Sequence, residues 1–235
     1  ETGNTPILFE KSDSLGGQFL LAGAISAKKD FKNAVDKMIL DVQESGIEVH
    51  LNTVVTKEML EEIKPDALIV AIGSSPIVLP IEGNERTIIA HDVLSEKVEV
   101  PGENVVVIGG GLVGFETAEF LAARQKKVTV LEMKEKALQD LGPLRQITAQ
   151  FAMAQMPITI ETSAIVERID DKVVVASGKE YPYDSVIMAV GSKANDTSMY
   201  ANLGIPTYIV GDCKKAGIAL DAFKDAYHAV LEINK

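Results

Sequence analysis

Residues 105–132 read VVVIGGGLVGFETAEFLAARQKKVTVLE, and this order of residues leaves the backbone few arrangements. Four apolar residues, 105–108, run directly into three glycines, and apolar residues at helical spacing follow without a polar spacer. A buried strand, a tight turn and a helix are therefore predicted, with a second strand at residues 128–131.

Gly109, Gly111 and Gly114 occupy the places of a G-x-G-x-x-G motif. The first glycine allows the tight turn, the second lets a diphosphate approach the backbone, and the third lets helix and strand pack closely. The N-terminus of the helix directs N–H groups and the positive end of its dipole towards the anion. We predict a dinucleotide site here. The alternative is a glycine-rich turn in another kind of α/β protein.

Glu132 follows the second strand, about 20 positions beyond Gly111, where an acidic side chain accepts hydrogen bonds from the adenosine ribose. A carboxylate at this place repels the additional phosphate of NADP, so NAD is the favoured cofactor. Lys134 and Lys136 lie just beyond and offer an alternative, because they could hold a 2'-phosphate or could simply be solvated loop charges.

Length and charge narrow the class of protein. A chain of 235 residues suits one large domain or two modest ones. The formal net charge of -11 argues against binding nucleic acid or an anionic membrane through a broad basic surface. The sequence shows no apolar run of membrane-spanning length and no signal peptide, so a soluble, cytoplasmic protein is expected.

Cysteine and histidine usage argues against several kinds of site. Cys213 is the only cysteine in the sequence, which excludes an internal disulfide, a C-x-x-C redox pair and a cysteine-ligated metal centre. His50, His91 and His228 are scattered without metal-ligand spacing, so no metal site is predicted. We expect Cys213 to pack as a small apolar residue.

Internal sequence similarity indicates two related folds. DALIVAIGSSP at residues 66–76 resembles DSVIMAVGSKA at residues 184–194, and each apolar strand ends at a glycine. Residues 6–9 form a predicted strand that is followed directly by Glu10, just as residues 128–131 are followed directly by Glu132. The first strand, glycine loop and helix of that other fold would precede residue 1, so we expect the chain to be a segment of a longer protein.

Periodicity and turn residues predict the remaining elements. Residues 11–19 are predicted as a loop and residues 77–103 as an irregular crossing between two domains. A helix should begin with Asp30 as its N-cap. The other predicted helices are 57–63, 142–156 and 218–233; the other predicted strands are 47–51, 67–72, 157–161, 164–169, 173–176, 185–190 and 206–210, with 164–169 and 173–176 forming a hairpin.

Asp212 follows the last predicted strand. If a flavin lies above this strand end, Asp212 is placed to bind its ribityl chain, and the following helix N-terminus can polarise the ring edge or the pyrophosphate. The alternative is an aspartate that shapes or caps the turn.

Several stretches together carry a family resemblance: LFEKSDSLGGQ, ALIVAIGSSP, VVVIGGGLVGFETAEFLA, VIMAVG and YIVGDC. The chain resembles, over essentially its whole length, the carboxyl-terminal region of the family that includes 2-enoate reductase, 2,4-dienoyl-CoA reductase, NADH oxidase of the old-yellow-enzyme type and trimethylamine dehydrogenase. In that family an amino-terminal (β/α)8 barrel carries FMN and an iron-sulfur cluster. The resemblance implies an α/β fold with two Rossmann-like domains: an incomplete FAD-type domain (1–85 and 195–235) and an NAD-binding domain (86–194) inserted into it.

The resemblance also implies the residues of each site. Glu116 resembles the acid near the nicotinamide in related reductases, although an ordinary glutamate in the first turn of a helix is an equal alternative. The implied FAD site is Glu10 (at the adenosine ribose), Gly17, Gln18, Gly73, Gly211 and Asp212, and the implied NAD site is Gly109, Gly111, Gly114, Glu132 and Gly191.

The implied activity is hydride transfer from NADH to FAD, with electrons passing on through the cluster to FMN in a barrel outside this chain. The cofactors supply this chemistry, so no side-chain nucleophile or acid-base pair is needed, and none is obvious. Without the first glycine loop we expect the segment alone to bind FAD weakly or not at all and to be inactive. Two alternatives remain: a disulfide or ferredoxin reductase, with the single cysteine arguing against the disulfide branch, and a module that binds NAD or ADP without turnover.

Overall fold

The computed structural model describes residues 3–25, 28–139 and 141–235. Within these ranges the helices are α1 (Gly17–Leu21), α2 (Lys29–Glu44), α3 (Lys57–Ile63), α4 (Ala90–Leu94), α5 (Leu112–Ala122), α6 (Pro143–Met153) and α7 (Ala219–Ile233). The strands are β1 (Ile7–Phe9), β2 (Glu48–His50), β3 (Leu68–Val70), β4 (Ser74–Pro76), β5 (Thr87–Ile89), β6 (Asn104–Ile108), β7 (Lys127–Leu131), β8 (Ile158–Glu161), β9 (Val166–Ile169), β10 (Val173–Ala176), β11 (Lys179–Pro182), β12 (Ser185–Met188), β13 (Ser192–Ala194) and β14 (Thr207–Ile209).

The chain forms two compact units. The first unit contains residues 3–23, Lys28–Ser75 and Ser192–Lys235, and the second contains Pro76–Gly191. The first unit is therefore assembled from segments that lie on both sides of the second unit in the sequence.

A five-stranded parallel sheet forms the centre of the second unit, with strand order β5-β12-β6-β7-β8. Its middle strands consist almost entirely of apolar residues because helices and loops cover both faces of a parallel sheet. Val107, Val130 and Ile187 have no exposed surface at all. The helix α5 contacts β6, β7 and β8. It follows β6 after a turn of three residues, so the helix starts near the carboxyl end of β6.

A three-stranded antiparallel sheet, in the order β11-β10-β9, accompanies the parallel sheet. The predicted hairpin between β9 and β10 is confirmed. Its third strand, Lys179–Pro182, was not predicted, because KEYP lacks the apolar alternation that identifies a strand. Val174 and Ala176 on β10 are fully buried against the parallel sheet, in a core cluster that includes Val106 and Met188.

The first unit contains two separate parallel pairs, β1 with β2 and β14 with β3. A small core joins Leu60, Val70, Tyr200 and Cys213. Cys213 is 5% exposed and its thiol approaches the carbonyl oxygens of Val70 and a neighbouring residue at 3.2 Å, so the expectation of a packed cysteine is confirmed.

Three element predictions were wrong. Residues 77–103 are not irregular throughout, because they contain β5, which pairs with β12, and α4. The predicted loop 11–19 ends in α1, which begins at Gly17. Asp30 is not an N-cap; the helix begins one residue earlier, and Asp30 lies in its first turn.

None of the helices in the described ranges combines the length and the apolar character needed to cross a membrane.

Candidate dinucleotide-binding site

The predicted glycine turn connects β6 to α5, at the edge where parallel strands of the second unit end. Gly109 has a backbone φ of 110°, a value that residues with a side chain rarely adopt, and its N–H donates to the Leu131 carbonyl at 2.8 Å. A Cβ atom at Gly109 would lie 2.4 Å from the carbonyl oxygen of Ala189. The tight turn therefore requires glycine at this position.

Gly114 lies in the first turn of α5. A Cβ atom there would lie 1.9 Å from the carbonyl oxygen of Gly109, which is a severe steric overlap. The absence of a side chain lets the helix begin directly beside the turn. Gly111 is the residue that precedes the helix. The first N–H groups of a helix have no partner within the helix, so those that follow Gly111 can hold an anion.

Glu132 is buried, with 7% of its surface exposed, and its carboxylate faces the glycine turn. One oxygen, Oε2, accepts a hydrogen bond from the backbone N–H of Gly110 at 2.7 Å. The other, Oε1, accepts from the backbone N–H of Lys134 at 2.8 Å. The predicted acid and the predicted turn are thus in direct contact, and the carboxylate is held at one end of the turn.

Two further predicted residues occupy neighbouring positions in the same unit. Gly191 has a φ of 100° and its carbonyl accepts from the N–H of Ile77 at 2.9 Å. Gly191 lies two residues beyond Ala189, whose carbonyl packs against Gly109. Glu116 is 7% exposed and lies in the N-terminal half of α5.

In the first unit, hydrogen bonds connect three of the segments predicted to bind FAD. The Gln18 side-chain amide donates to both the carbonyl and the hydroxyl oxygen of Ser74, each at 3.0 Å. The Ser74 hydroxyl in turn donates to Oδ2 of Asp212 at 3.0 Å. Gly73 precedes Ser74, and a Cβ atom at Gly73 would lie 4.0 Å from the Gln18 amide. The structure therefore brings Gln18, Gly73 and Asp212 together.

Asp212 and Gly211 are also held by hydrogen bonds to residues that follow them, one in the next loop and one in α7. The second oxygen of Asp212 accepts from the backbone N–H of Gly217 at 3.1 Å. The Gly211 N–H donates to Asp225 at 3.2 Å. The pKa of Asp225 is lowered chiefly because the Lys214 ammonium group donates to its carboxylate, and the carboxylate therefore stays charged beside Gly211.

Glu10 and Gly17 lie at other points of the first unit. The Glu10 carboxylate accepts from the backbone N–H of Ser12 at 2.7 Å. Its backbone N–H donates to the His50 carbonyl, and its carbonyl accepts from Thr53. Gly17 begins α1 immediately before Gln18.

Three contributors were missed from the sequence. Gly110 makes the bond to Glu132, and a Cβ atom there would lie 2.8 Å from the Glu132 side chain, so the extra glycine between Gly109 and Gly111 was the available signal. Ser74 links Gln18 to Asp212 but looks like an ordinary loop serine. Leu138 donates its backbone N–H to the Gly110 carbonyl at 2.9 Å, and nothing in the sequence marks this bond.

Comparison with known proteins identifies the family. Residues 7–221 match the pyridine nucleotide-disulphide oxidoreductase family, and the chain belongs to that family. The predicted α/β fold of the Rossmann type is confirmed, as is the resemblance to oxidoreductases that bind FAD and a pyridine nucleotide.

Two curated relatives and one solved structure illustrate the similarity. The chain is 33% identical to an NADH oxidase of Thermoanaerobacter brockii, over 98% of this chain and 38% of the relative. It is 32% identical to a cinnamate reductase of Clostridium sporogenes, over 98% of this chain and 36% of that protein. The structure of a 2-naphthoyl-CoA reductase complex matches with a TM-score of 0.88 and 29% identity, over 97% of this chain and 36% of the other. The chain thus spans less than two-fifths of the length of these proteins.

Proposed function

We propose that this chain is the pyridine-nucleotide and flavin module of an NADH-dependent flavoprotein reductase similar to 2-enoate reductase. The second unit would be the NAD-binding domain. The observation that carries this proposal is the contact between the glycine turn and the acid: Gly110 donates to Glu132 at 2.7 Å, directly beside the N-terminus of α5. This is the arrangement that a pyrophosphate and an adenosine ribose require.

In this domain Gly111 and Gly114 would let the pyrophosphate approach the backbone at the start of α5, and Glu132 would accept a hydrogen bond from the ribose. Gly191 and Glu116 would lie towards the nicotinamide end of the site. The reduced nicotinamide supplies the hydride when it is bound. The protein holds the cofactor, orients it and excludes water, so the site needs no nucleophilic side chain.

We further propose that the first unit is an FAD-type domain without its first strand. The linked residues Gln18, Gly73 and Asp212, together with Glu10, would form one side of the flavin site. A glycine turn that could hold the diphosphate of FAD is not found among the described residues of this unit. FAD binding would then require an additional segment of polypeptide.

The rest of the electron path would lie outside residues 1–235. The curated relatives are more than twice as long as this chain, which leaves ample room for a barrel domain. We propose that FMN and an iron-sulfur cluster belong to that domain and take electrons from FAD. The relatives named for the reduction of cinnamate and 2-naphthoyl-CoA favour an unsaturated acid or acyl-CoA as the final acceptor.

A second candidate function is a nucleotide-binding module that holds NAD or ADP without turnover. It is favoured by the difference between the units, because among the described residues a glycine turn in contact with an acid is found in the second unit and not in the first.

A flavin spectrum and an NADH-dependent dye-reduction assay, measured side by side, separate the two functions. For residues 1–235 mixed with FAD and then passed through gel filtration, we expect colourless protein that still binds NADH. A polypeptide extended to include the preceding domain should retain yellow flavin and reduce the dye. If the extended protein binds NADH but neither retains flavin nor reduces the dye, the protein is a nucleotide-binding module without turnover.

A further inference from the structure

The peptide groups of Gly110 are held on both sides by the segment that follows β7. The Gly110 N–H donates to the Glu132 carboxylate at 2.7 Å. The Gly110 carbonyl accepts from the N–H of Leu138 at 2.9 Å. Residues 132–138 therefore form a short loop, and both ends of this loop are hydrogen-bonded to the same residue of the glycine turn. We call residues 132–138 the turn clamp.

Leu138 adopts an unusual backbone conformation to make its bond. Its φ is 56°, in the left-handed region, which a leucine rarely occupies without a compensating interaction. The side chain supplies that interaction, because Leu138 is only 1% exposed and packs in a cluster with Phe115 and Met153. Burial of the side chain thus fixes the direction in which the backbone N–H points.

The middle of the turn clamp is fixed as well. Lys134 donates its N–H to Glu132, and its carbonyl accepts from the N–H of Ser163 at 2.9 Å. The carbonyl of Glu132 accepts from Ala164, also at 2.9 Å. The clamp is therefore attached to the connection between β8 and β9 by hydrogen bonds within the protein.

We propose that Leu138 is a positioning residue for the dinucleotide site. By holding the Gly110 carbonyl, it orients the N–H groups of the next residues towards the pyrophosphate before the cofactor arrives. A preorganised anion site binds more tightly because less ordering is required on binding. This inference rests on the proposed function of the second unit, and it assigns a binding role to a residue that would otherwise count as core.

Leu138→Ala tests the role directly. The variant keeps the N–H group but loses the buried side chain that holds the backbone at a positive φ, so alanine should relax to a negative φ and the bond to Gly110 should be lost. Loss of one preorganising hydrogen bond should weaken binding about tenfold. Since the pyrophosphate is common to both ligands, the loss should be equal for NADH and ADP, measured by isothermal titration calorimetry.

Met153→Ala is the matched control, because Met153 lies in the same cluster and is 2% exposed but makes no backbone bond to Gly110. It should lower the melting temperature about as much as Leu138→Ala while leaving both affinities unchanged. Leu138→Met, which keeps most of the volume, should restore the affinities. If Leu138→Ala binds NADH and ADP as tightly as the wild type, Leu138 is a core residue only and the proposal is wrong.

Amide hydrogen exchange on the unaltered chain gives a second test that needs no variant. The Leu138 amide should be protected without ligand and should stay protected when ADP is added. Exchange at the rate of an open loop in the absence of ADP would overturn the proposal. Failure of the proposed function is recognised separately, because in that case the wild type itself would bind neither NADH nor ADP.

Discussion

The two units each contain one of two similar sequence segments, and these segments lie in very different environments. Ile187 in β12 and Ile69 in β3 occupy equivalent places in DSVIMAVGSKA and DALIVAIGSSP. Ile187 has no exposed surface, whereas Ile69 is 40% exposed. Ile187 pairs with Ile88 on one side and Val107 on the other, but among the described residues Ile69 pairs with Tyr208 on one side alone. A similar sequence is therefore fully enclosed in one unit and half open in the other.

Strand order accounts for this difference. In the second unit the order is β5-β12-β6-β7-β8, with β6 in the centre. If β3 corresponds to β12 and β1 corresponds to β7, the pairs β14-β3 and β1-β2 of the first unit match β5-β12 and β7-β8 of the second. A strand corresponding to β6 would then lie between β3 and β1. The first unit as described has no strand at that place.

The acids at the strand ends support the same correspondence. Glu132 and Glu10 both accept a hydrogen bond from the N–H two residues further on, Lys134 and Ser12 respectively. Glu132 also binds Gly110, the second residue after β6. Within the described ranges, Glu10 has no counterpart of that second bond. In the second unit, a single central strand and its turn therefore supply both the enclosure of the sheet and the second hydrogen-bond donor to the acid.

The largest effect is expected from Gly114→Ala, because its Cβ atom would lie 1.9 Å from the Gly109 carbonyl and would push α5 away from β6. Overpacking of this kind costs about 1–3 kcal/mol or more. NADH binding should fall below detection in a calorimetric titration. Gly142→Ala is the control, since a Cβ atom there meets nothing within 4 Å, and it should bind NADH normally. Normal binding by Gly114→Ala would contradict the placement of the site.

The next effect concerns the equivalent isoleucines. Ile187→Ala should destabilise the second unit by about 2–5 kcal/mol, because it removes a fully buried side chain from the sheet. Ile69→Ala should cost less than about 1 kcal/mol in residues 1–235, since much of that side chain already contacts water. Urea unfolding followed by circular dichroism measures both changes. Equal decreases in the free energy of unfolding would show that the two sheets are equally enclosed.

A smaller effect is expected for the strand-end acids. Glu132→Gln replaces an oxygen that accepts from the Gly110 or Lys134 N–H and removes the charge that favours the ribose hydroxyl. NADH should bind about tenfold more weakly, the effect of one charge-assisted hydrogen bond. Glu10→Gln should leave NADH binding unchanged. Calorimetry on both variants is the measurement, and a similar loss in Glu10→Gln would remove the distinction between the units.

The smallest effect involves Asp184 and its counterpart Asp66. The Asp184 carboxylate accepts from the backbone N–H groups of Asn104 at 2.8 Å and Glu103 at 3.0 Å, at the start of β6. These bonds lower the pKa of Asp184, with the Asn104 backbone as the largest cause. A lowered folded pKa gives stability that is present above the unfolded pKa, about 4, and is lost as the pH falls through the folded value.

Asp184→Asn should therefore lower the melting temperature slightly at pH 7, and the difference from the wild type should shrink below about pH 4. Asp66→Asn should have no effect at either pH, because the described part of the first unit has no counterpart of β6 to hold. Thermal melts across this pH range measure both variants. A difference for Asp184→Asn that grows as the pH falls would show that the carboxylate does not act in its charged form.

The sequence predicted best where structure is determined locally. The stretch 105–132 combines strand, turn and helix signals in adjacent residues. The structure shows β6 and β7 within one residue of the predicted limits, with the predicted helix, α5, between them. The helix 57–63 was predicted with its observed limits, and in the structure the Thr56 side chain caps its start.

Prediction failed where partners distant in sequence decide the structure. The strand β5 lies among prolines and glycines and is defined by pairing with β12, about 100 residues further on. The bond from Leu138 to Gly110 depends on a left-handed leucine, which no residue preference predicts. The link from Gln18 through Ser74 to Asp212 joins three loops that only the folded chain brings together.

The most direct test of this account is a calorimetric titration of residues 1–235 with NADH and, in parallel, with NADPH. Because the Glu132 carboxylate is buried beside the glycine turn, it should accept the ribose hydroxyl of NADH and repel the 2'-phosphate of NADPH. We expect saturable NADH binding in the micromolar range, with NADPH at least about tenfold weaker. Absence of heat with both ligands, or equal affinity for the two, would contradict the account.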